Sequence, residues 1–279
     1  MTRDITFRSL TRSEVATALD WAAVEGWNPG LHDAEIFYQT DPTGFYGAEI
    51  DGELVGTFSI VHYSDDFAFG GLYILNPKER GQGFGLQMQQ HALDLAGSLN
   101  LGIDGVFAMQ ERYRQVGFIY AYRNFRYAGT GGGSTPPGLV PIDQISFDEI
   151  AAYDTAHFPA PRPRFLKPFL SQQDAAALAS VDEDGIRGYG VIRQCRVGHK
   201  IGPLFADSAE VAEALFCGLA ASVPGEEIFL DIPEPNSKAV DLASSHQMIQ
   251  VFGTARMYTR FIPDLPLDEI FGVSTFELG

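Results

Sequence analysis

The most informative stretch of this sequence is a glycine-rich run, Asn76-Pro77-Lys78-Glu79-Arg80-Gly81-Gln82-Gly83-Phe84-Gly85. It follows Phe67–Leu75, an apolar segment that predicts a strand, and it precedes Leu86–Ser98, which predicts a largely buried helix. A glycine-rich turn from a strand into a helix directs backbone N–H groups and the positive end of the helix dipole at one point. The run therefore predicts an anion site beside Arg80, although any tight turn of this kind also favours glycine.

The spacing of the glycines distinguishes between the known phosphate-binding loops. A Walker loop has a lysine after its last glycine, and a dinucleotide-binding loop has GxGxxG with an acidic residue after the next strand; neither pattern fits. The run Arg80-Gly81-Gln82-Gly83-Phe84-Gly85 instead resembles the Arg/Gln-x-x-Gly-x-Gly signature of the GCN5-related N-acetyltransferases (GNAT). The preceding Leu75-Asn76-Pro77 resembles the hydrophobic-x-Pro sequence that ends the fourth strand in that family.

A second motif extends the resemblance. Members of this family carry a tyrosine four residues before a Gly-Phe pair, on a short helix after the fifth strand, and Tyr113-Arg114-Gln115-Val116-Gly117-Phe118 matches it in place and order. One position departs from the family, because the Asn often found seven residues before the tyrosine is Val106 here. The resemblance implies that Tyr113 is the general acid that protonates the leaving thiolate.

The rest of the first half follows the order of elements in that family. Caps and apolar spacing predict helices from Ser13 to about Glu25 and from Asp33 onward. Strands are predicted at Phe45–Ile50, Leu54–Tyr63 and Ile103–Ala108, a short helix at Glu111–Val116, and a closing hairpin or bent strand at Phe118–Tyr127. The predicted fold class is α/β (α+β): a GNAT fold with a mixed, mostly antiparallel sheet flanked by helices.

A run rich in glycine and proline, residues 129–140, divides the chain into two predicted domains, 1–128 and 141–279. The second half repeats part of the plan, which suggests internal duplication. Its predicted helices are Ile145–His157, Gln172–Ser180, Ser208–Ala221 and Asn236–Gln247, and its predicted strands are Ile186–Gln194, Lys200–Phe205, Ile228–Asp231, Ile249–Met257 and Val273–Leu278. No glycine separates strand from helix at Phe205–Ser208, so this copy lacks the loop.

A narrower resemblance covers nearly the whole chain. Its motifs are Trp27-Asn28-Pro29-Gly30 with Asp33, the strand Gly70–Leu75, and, in the second half, Lys200–Asp207 and Leu230–Asn236. These look like two-domain bacterial acetyltransferases of the YitH/HolE type. In such proteins a degenerate GNAT-like domain follows a catalytic one, so the resemblance implies a tandem protein.

Composition limits the remaining possibilities. The 279 residues are 45% hydrophobic and carry 19 basic against 36 acidic side chains, a net charge of −17. This charge disfavours nucleic acid and membrane surfaces as partners. Two cysteines, the lack of a signal-like start and the lack of a long apolar run lead us to expect a cytoplasmic protein without metal. The sequence leaves open whether it is a monomer or a homodimer.

The resemblance implies acetyl-CoA as the acyl donor. Its pyrophosphate would lie on the amides of the loop, and its pantetheine would pair like an extra strand with the preceding strand. The implied donor-binding residues are Tyr73, Ile74, Leu75, Arg80, Gly81, Gln82, Gly83, Phe84 and Gly85.

The acceptor pocket is expected around the first two helices. Glu25, His32, Asp33 and Glu35 are each a candidate general base, a water-orienting residue or a bystander. Four other residues have more specific interpretations. Trp27 and Asn28 are predicted to form a wall of the substrate pocket, and Asp104 is predicted to orient a cationic acceptor. Arg162 and its basic neighbours are predicted to form an extended, solvated loop or, alternatively, a site for an anionic substrate.

The leading hypothesis is an acetyl-CoA-dependent N-acetyltransferase that acts on a small amine by direct attack in a ternary complex. The alternative is a CoA-binding or ligand-sensing protein that has kept the fold and lost transfer. A third possibility is acetylation of protein substrates, which calls for an open groove. A second domain packed beside the cleft would argue against that third possibility.

Overall fold

The computed structural model describes residues 3–279. Its helices are α1 Arg12–Val24, α2 Asp33–Thr40, α3 Phe84–Ala96, α4 Gln110–Gln115, α5 Phe147–Ala156, α6 Pro163–Leu170, α7 Ala209–Ala220 and α8 Ser237–Ser245. Its strands are β1 Ile5–Ser9, β2 Phe45–Ile50, β3 Glu53–His62, β4 Phe67–Leu75, β5 Asn100–Val106, β6 Ile119–Thr130, β7 Leu139–Pro141, β8 Ala175–Asp182, β9 Gly185–Gln194, β10 His199–Ala206, β11 Glu227–Pro233, β12 Ile249–Tyr258 and β13 Ile270–Gly272. Within this range, no helix is both long and apolar enough to cross a bilayer.

All these strands belong to one continuous sheet, which was not predicted. The sheet is mostly antiparallel, as predicted. Two neighbouring pairs are parallel, β4 with β5 and β10 with β11. The order strand, two helices, three strands, helix, strand, helix, strand occurs twice, first from β1 to β6 and again from β7 to β12. The repeated order agrees with the predicted duplication.

The last strands of the two halves are exchanged. Strand β12, from the end of the chain, lies between β5 and β6, and strand β6 lies between β12 and β11. Each half therefore completes the sheet of the other. Gly129 and Thr130, at the start of the predicted linker, are the final residues of β6, and the division into domains 1–128 and 141–279 stays a prediction.

A shared core reinforces this exchange. One cluster of buried side chains combines Phe37 of α2 with Phe165 and Phe169 of α6, Tyr189 of β9, and Phe276 near the C-terminus. The aromatic residues of the two halves are thus removed from water together. Burial of a large apolar side chain contributes about 1.5–3 kcal/mol, so this shared core strongly couples the folding of the halves.

Several local predictions are confirmed. Strand β4 has the predicted bounds, and the β2–β3 hairpin turns at Asp51 and Gly52, whose φ angles of 54° and 82° suit that pair. Helix α1 is capped by Thr11, which forms a capping box with Glu14, and not by Ser13 as predicted. Helix α7 is capped by Ser208, as predicted.

Two predicted elements of the second half are wrong. Gln172–Ser180 is not helical, since Ala175–Asp182 forms strand β8 and pairs along its whole length with β9. Its alanines favour a helix locally, but the pairing with β9 supplies the backbone hydrogen bonds. Val273–Leu278 is not a strand; the strand pairing ends at Gly272, and residues 273–279 form a buried, turn-containing segment.

The expected solvated loop after α5 is also wrong. Pro163 begins helix α6 at a position where its missing N–H costs nothing. The Arg162 side chain is fully buried and donates two hydrogen bonds to Asp154, of 2.7 and 2.8 Å. Arg162 therefore serves the core and is not available to an anionic substrate.

Candidate active site

An open cleft separates β4 from β5. The two strands pair only from Phe67 to Gly70, opposite Asn100 to Ile103, and then part. A bulge at Gly71 and Leu72 turns β4, with Leu72 at φ 48° and its carbonyl bonded by the Thr57 hydroxyl at 2.9 Å. The remainder, Tyr73–Leu75, has no neighbouring strand on the side of β5. The resulting cavity has a volume of about 620 Å³.

The glycine-rich loop forms one end of this cleft. Gly81 and Gly83 adopt φ angles of 79° and 89°, a left-handed conformation that side-chain-bearing residues disfavour. A Cβ at either position would meet no neighbour, so backbone conformation and not space explains these two glycines. Across residues 3–279, no hydrogen bond is made by the backbone N–H groups from Gly81 to Gly85. Five donors at the start of α3 are thus available to an anion.

Arg80 lies beside these donors and is held by two partners. Its Nε donates to the Leu75 carbonyl at 2.9 Å, and its terminal nitrogen bonds to Glu25. Glu25 and Arg80 both line the cleft. The pair joins the end of α1 to the loop, so the cation predicted for the phosphate site is already oriented toward the cleft.

Tyr113 lines the opposite wall. Its ring packs against the backbone of β5, where a Cβ on Gly105 would lie 2.5 Å from the ring, and it meets Phe118 edge-on. Within residues 3–279, its hydroxyl has no hydrogen-bond partner. Burial raises the pKa of Tyr113 to about 12. The phenol is therefore protonated and unengaged at neutral pH.

Tyr73 connects the two parts of the donor-binding region. It lies on the unpaired end of β4, and its hydroxyl donates to the Gly85 carbonyl in the first turn of α3. Burial raises the pKa of Tyr73, which keeps that hydroxyl a donor. The strand and the loop, predicted to bind different parts of one donor, are thus directly joined.

The second half of the chain supplies the remaining wall. Phe252 and Thr254 of β12 and Phe276 and Glu277 of the C-terminal segment line the cleft, facing Trp27. Phe252 and Thr254 reach it because β12 is inserted beside β5, and the C-terminal segment reaches it beside Gly71 of β4. Sequence analysis predicted Trp27 but missed all four residues from the second half.

The structure separates the four candidate bases predicted from the sequence. Only Glu25 lines the cleft. Asp33 is fully buried, accepts from the Gly30 N–H at 2.7 Å and pairs with Arg193 of β9 at 3.2 Å. His32 pairs with Asp174 at 3.0 Å, and Glu35 pairs with Arg12. These last three residues stabilise contacts around α2, away from the cleft.

Asn28 and Asp104 also bond to other parts of the protein. The Asn28 amide exchanges two hydrogen bonds of 2.9 Å with the backbone of Val197, outside the cleft. Asp104 lines the cleft, but its oxygens accept from Arg256 at 2.7 and 3.0 Å and from Asn124 at 2.7 Å. Asp104 thereby holds β12 in the sheet, and its role toward an acceptor stays a prediction.

A group of buried charged side chains lies where the halves meet. Each is at most 3% exposed, and we call them the buried charge cluster: Asp33, Arg126, Arg193, Lys200, Asp231 and Glu277. Arg126 donates to both oxygens of Asp231 at 2.7 and 2.8 Å, and its guanidinium stacks on Phe252 and Phe276. Arg126 of the cluster thus contacts the wall that the second half contributes, and Glu277 belongs to both the cluster and the wall. The only sequence signal for Glu277 was a lone carboxylate in the apolar stretch Val273–Gly279.

Comparisons with known proteins agree with this geometry. A model described as the acetyltransferase (GNAT) family matches residues 12–119, and one described as an acetyltransferase (GNAT) domain matches residues 150–272. A holothin acyltransferase from Pseudoalteromonas sp. (strain SANK 73390) is 30% identical over 263 residues, which span 93% of this chain and 90% of that protein.

Solved structures show the same fold. A protein assigned as an acetyltransferase from Pyrococcus horikoshii aligns with a TM-score of 0.84 at 23% identity, over 100% of this chain and 97% of that one. A tandem GNAT protein from the clavulanic acid biosynthesis pathway aligns with a TM-score of 0.64 at 12% identity, over 94% of this chain and 100% of that one. With a GNAT match in each half and an acyltransferase relative along nearly its whole length, this chain belongs to the GCN5-related N-acetyltransferase family and is a tandem acyltransferase.

Proposed function

We propose that the protein transfers an acetyl group from acetyl-CoA to a small amine, by direct attack within a ternary complex. The observation that carries this proposal is a cleft that combines five free loop amides, an unpaired strand end and an unengaged Tyr113 hydroxyl. Each of these features is suited to one part of a thioester donor: its phosphates, its extended amide arm and its leaving sulfur.

The donor would bind along β4. The amides from Gly81 to Gly85 and the Arg80 guanidinium would hold the pyrophosphate, because N–H donors at a helix start favour anions. The backbone of Tyr73–Leu75 would pair with the pantetheine arm, and an N–H of this strand would stabilise the oxyanion that forms during attack. Acetyl-CoA supplies the activated acyl group, while the protein orients it.

Tyr113 would complete the transfer. When the amine nitrogen bonds to the thioester carbon and the carbon–sulfur bond breaks, the departing thiolate needs a proton. The Tyr113 phenol is the general acid that we assign to this step, because its hydroxyl faces the cleft without another partner. Burial keeps the phenol in its proton-carrying form.

Direct attack is favoured over a covalent enzyme intermediate. Among residues 3–279 no cysteine lines the cleft; Cys195 is buried elsewhere, and Cys217 lies on α7. Steady-state kinetics should therefore give intersecting initial-velocity lines, whereas parallel lines would indicate a covalent intermediate.

A small acceptor fits the wall formed by the second half. Phe252, Phe276 and Trp27 line the cleft, so aromatic side chains from both halves bound the side that we assign to the acceptor. The net charge of −17 favours a cationic amine. The relative at 30% identity is named for acylation of holothin, and the match covers 90% of its length, so its named acceptor is a precedent for the acceptor proposed here.

The decisive experiment measures release of free CoA thiol from acetyl-CoA in the presence of a panel of small amines. The two cysteines give a low background, because Cys195 is 3% exposed and burial raises the pKa of the Cys217 thiol to about 11. Amine-dependent thiol release with formation of the acetylated amine supports the proposal. Stoichiometric CoA binding without turnover on any amine would indicate the alternative, a CoA-binding sensor.

A further inference from the structure

The C-terminal segment, residues 273–279, crosses β4 at the point where that strand leaves β5. A Cβ placed on Gly71 would lie 2.1 Å from the Glu277 carbonyl oxygen, which shows how closely the two backbones approach. The Tyr63 hydroxyl donates to the Leu278 carbonyl at 2.9 Å and holds the segment there. Glu277 thus lines the cleft beside the β4 bulge, next to the strand end that we assign to the donor.

Glu277 differs from the other carboxylates of the buried charge cluster. Asp33 is bonded to Gly30 and Arg193, and Asp231 accepts two hydrogen bonds from Arg126. Both carboxylate oxygens of Glu277 have no hydrogen-bond partner within residues 3–279, although Glu277 is only 2% exposed. A buried carboxyl without a partner is costly, so such a group points to a role that its packing does not explain.

Glu277 also differs from the other carboxylates that line the cleft. These are Glu25, which bonds to Arg80, and Asp104, which bonds to Arg256. Their charges are compensated at contact distance. Within the part of the chain that the structure describes, Glu277 is the cleft-lining carboxylate whose buried oxygens have no hydrogen-bond partner.

The charged groups facing Glu277 come from four elements. Lys200 of β10, Arg193 of β9 and Arg126 of β6 favour its ionised form, and Asp33 of α2 disfavours it. Burial raises the pKa of the Glu277 carboxyl despite these cations. A raised pKa makes a carboxylate a better proton acceptor near neutral pH than an exposed one.

We propose that Glu277 binds the ammonium group of the acceptor and removes its proton. A proton passes from the ammonium nitrogen to a Glu277 carboxylate oxygen, and the freed lone pair attacks the thioester carbon. The new carbon–nitrogen bond replaces the carbon–sulfur bond, and the sulfur leaves as a thiolate that receives the Tyr113 proton. The second proton that the nitrogen loses on becoming an amide restores the Tyr113 phenol. This assignment rests on the proposed transfer to an amine and adds the residue that the acceptor contacts.

The test compares Glu277→Gln with the wild type and with Glu269→Gln. Glutamine keeps the shape of the side chain and removes the base, whereas Glu269 is a carboxylate of the same terminal stretch that pairs with His157 outside the cleft. We expect Glu277→Gln to lower kcat/KM for an alkylamine about 10²- to 10⁴-fold, the range for general-base catalysis, while CoA affinity by calorimetry is unchanged. Glu269→Gln should behave like the wild type.

Two further readouts separate proton removal from packing. The acid limb of the pH profile of kcat/KM should disappear in Glu277→Gln, because that limb reports protonation of the base. An acceptor amine that is mostly neutral at the assay pH should lose much less activity in Glu277→Gln, since its lone pair is already free before attack. A purely structural role would reduce turnover of both amines equally.

The possible failures are distinguishable. If the wild type releases no thiol with any amine, the proposed transfer fails, whatever Glu277 does. If the wild type is active and Glu277→Gln keeps its rate and its acid limb, the assignment of Glu277 is overturned. Should Glu277→Gln not fold, Glu277→Asp decides: a lowered kcat/KM with the acid limb retained supports the assignment, and a wild-type rate overturns it.

Discussion

The gap beside the fourth strand is open in the first half of the chain and filled by another strand in the second half. In the first half, β4 and β5 part after Gly70 and leave an open cleft. In the second half, β10 and β11 part after Ile201, and β13 fills the gap by pairing with β10. The Val273 N–H that follows β13 donates to the Asp231 carbonyl of β11 at 2.9 Å, so the filling strand bonds to both sides.

Two more local features distinguish the halves. The Ser208 hydroxyl caps α7 directly, where the first half has its glycine loop. Helices α4 and α8 end in the same way, with a backbone hydrogen bond from a residue after the helix to the carbonyl five residues earlier. The Phe118 N–H donates to the Tyr113 carbonyl at 3.0 Å, and the Met248 N–H donates to the Ala243 carbonyl at 2.9 Å. Ala243 thus takes the place of Tyr113. The comparison teaches that the shared fold alone does not provide the proposed donor site, which depends on the loop, the open gap and the tyrosine.

The largest expected effect tests the tyrosine. Tyr113→Phe removes the proton donor and leaves the ring packing on Gly105 intact, so we expect kcat to fall about 10²- to 10⁴-fold with nearly unchanged CoA affinity. The measurement is steady-state thiol release together with calorimetry. Tyr120→Phe, in a tyrosine of β6 that does not line the cleft, is the control. An unchanged kcat in Tyr113→Phe would remove this residue from the mechanism.

The next effect tests the loop. Replacing Gly81 and Gly83 with valine forces a β-branched residue into positive φ, so the loop should rearrange and donor affinity should fall by at least about 10²-fold. Calorimetry of the wild type should give one CoA site per chain, in the first half. Ser208→Ala, at the matching place in the second half, should cost about 1 kcal/mol of stability and leave CoA affinity unchanged. Two CoA sites per chain would contradict the prediction that only the first half binds CoA.

A smaller effect tests the filled gap. A Cβ on Gly202 would lie 2.2 Å from the Val273 carbonyl oxygen, so Gly202→Ala should lower the free energy of unfolding by about 1–3 kcal/mol. Gly71→Ala meets the Glu277 carbonyl at a similar distance and should destabilise the protein comparably. Urea denaturation measures both. CoA affinity should change in neither variant, and a raised KM for the amine should appear only in Gly71→Ala.

The smallest effect is in the pH dependence. Because burial raises the pKa of Tyr113 to about 12, its proton-carrying form should persist through pH 10 and disappear only as the pH rises through that value. Tyrosinate absorbance at pH 10 should therefore be the same in the wild type and in Tyr113→Phe. A difference corresponding to one ionised tyrosine at pH 10 would contradict the raised pKa and weaken the case for Tyr113 as a general acid.

The donor side of the site could be predicted from the sequence, and the acceptor side could not. The bounds of β4 and the glycine loop follow from local patterns that act over a few residues, and Tyr113 follows from the resemblance to a known family motif. Asp33 was predicted to line the acceptor pocket because it lies near the first two helices in the sequence. In the structure its carboxylate pairs with Arg193 of the second half. Glu277 was not predicted, because nothing near it in the sequence indicates that it contacts Gly71.

The sequence by itself determined the glycine loop, the hairpins and most helix starts, because positive φ at glycine, caps and apolar periodicity are short-range properties. Only the tertiary structure decided that β12 pairs with β5 and that β13 fills the gap between β10 and β11. It also decided that the buried Glu277 carboxylate lies beside the open cleft between β4 and β5. These arrangements depend on which distant surfaces bury each other and which charges lose water together, and such energies exist only once the whole chain has packed.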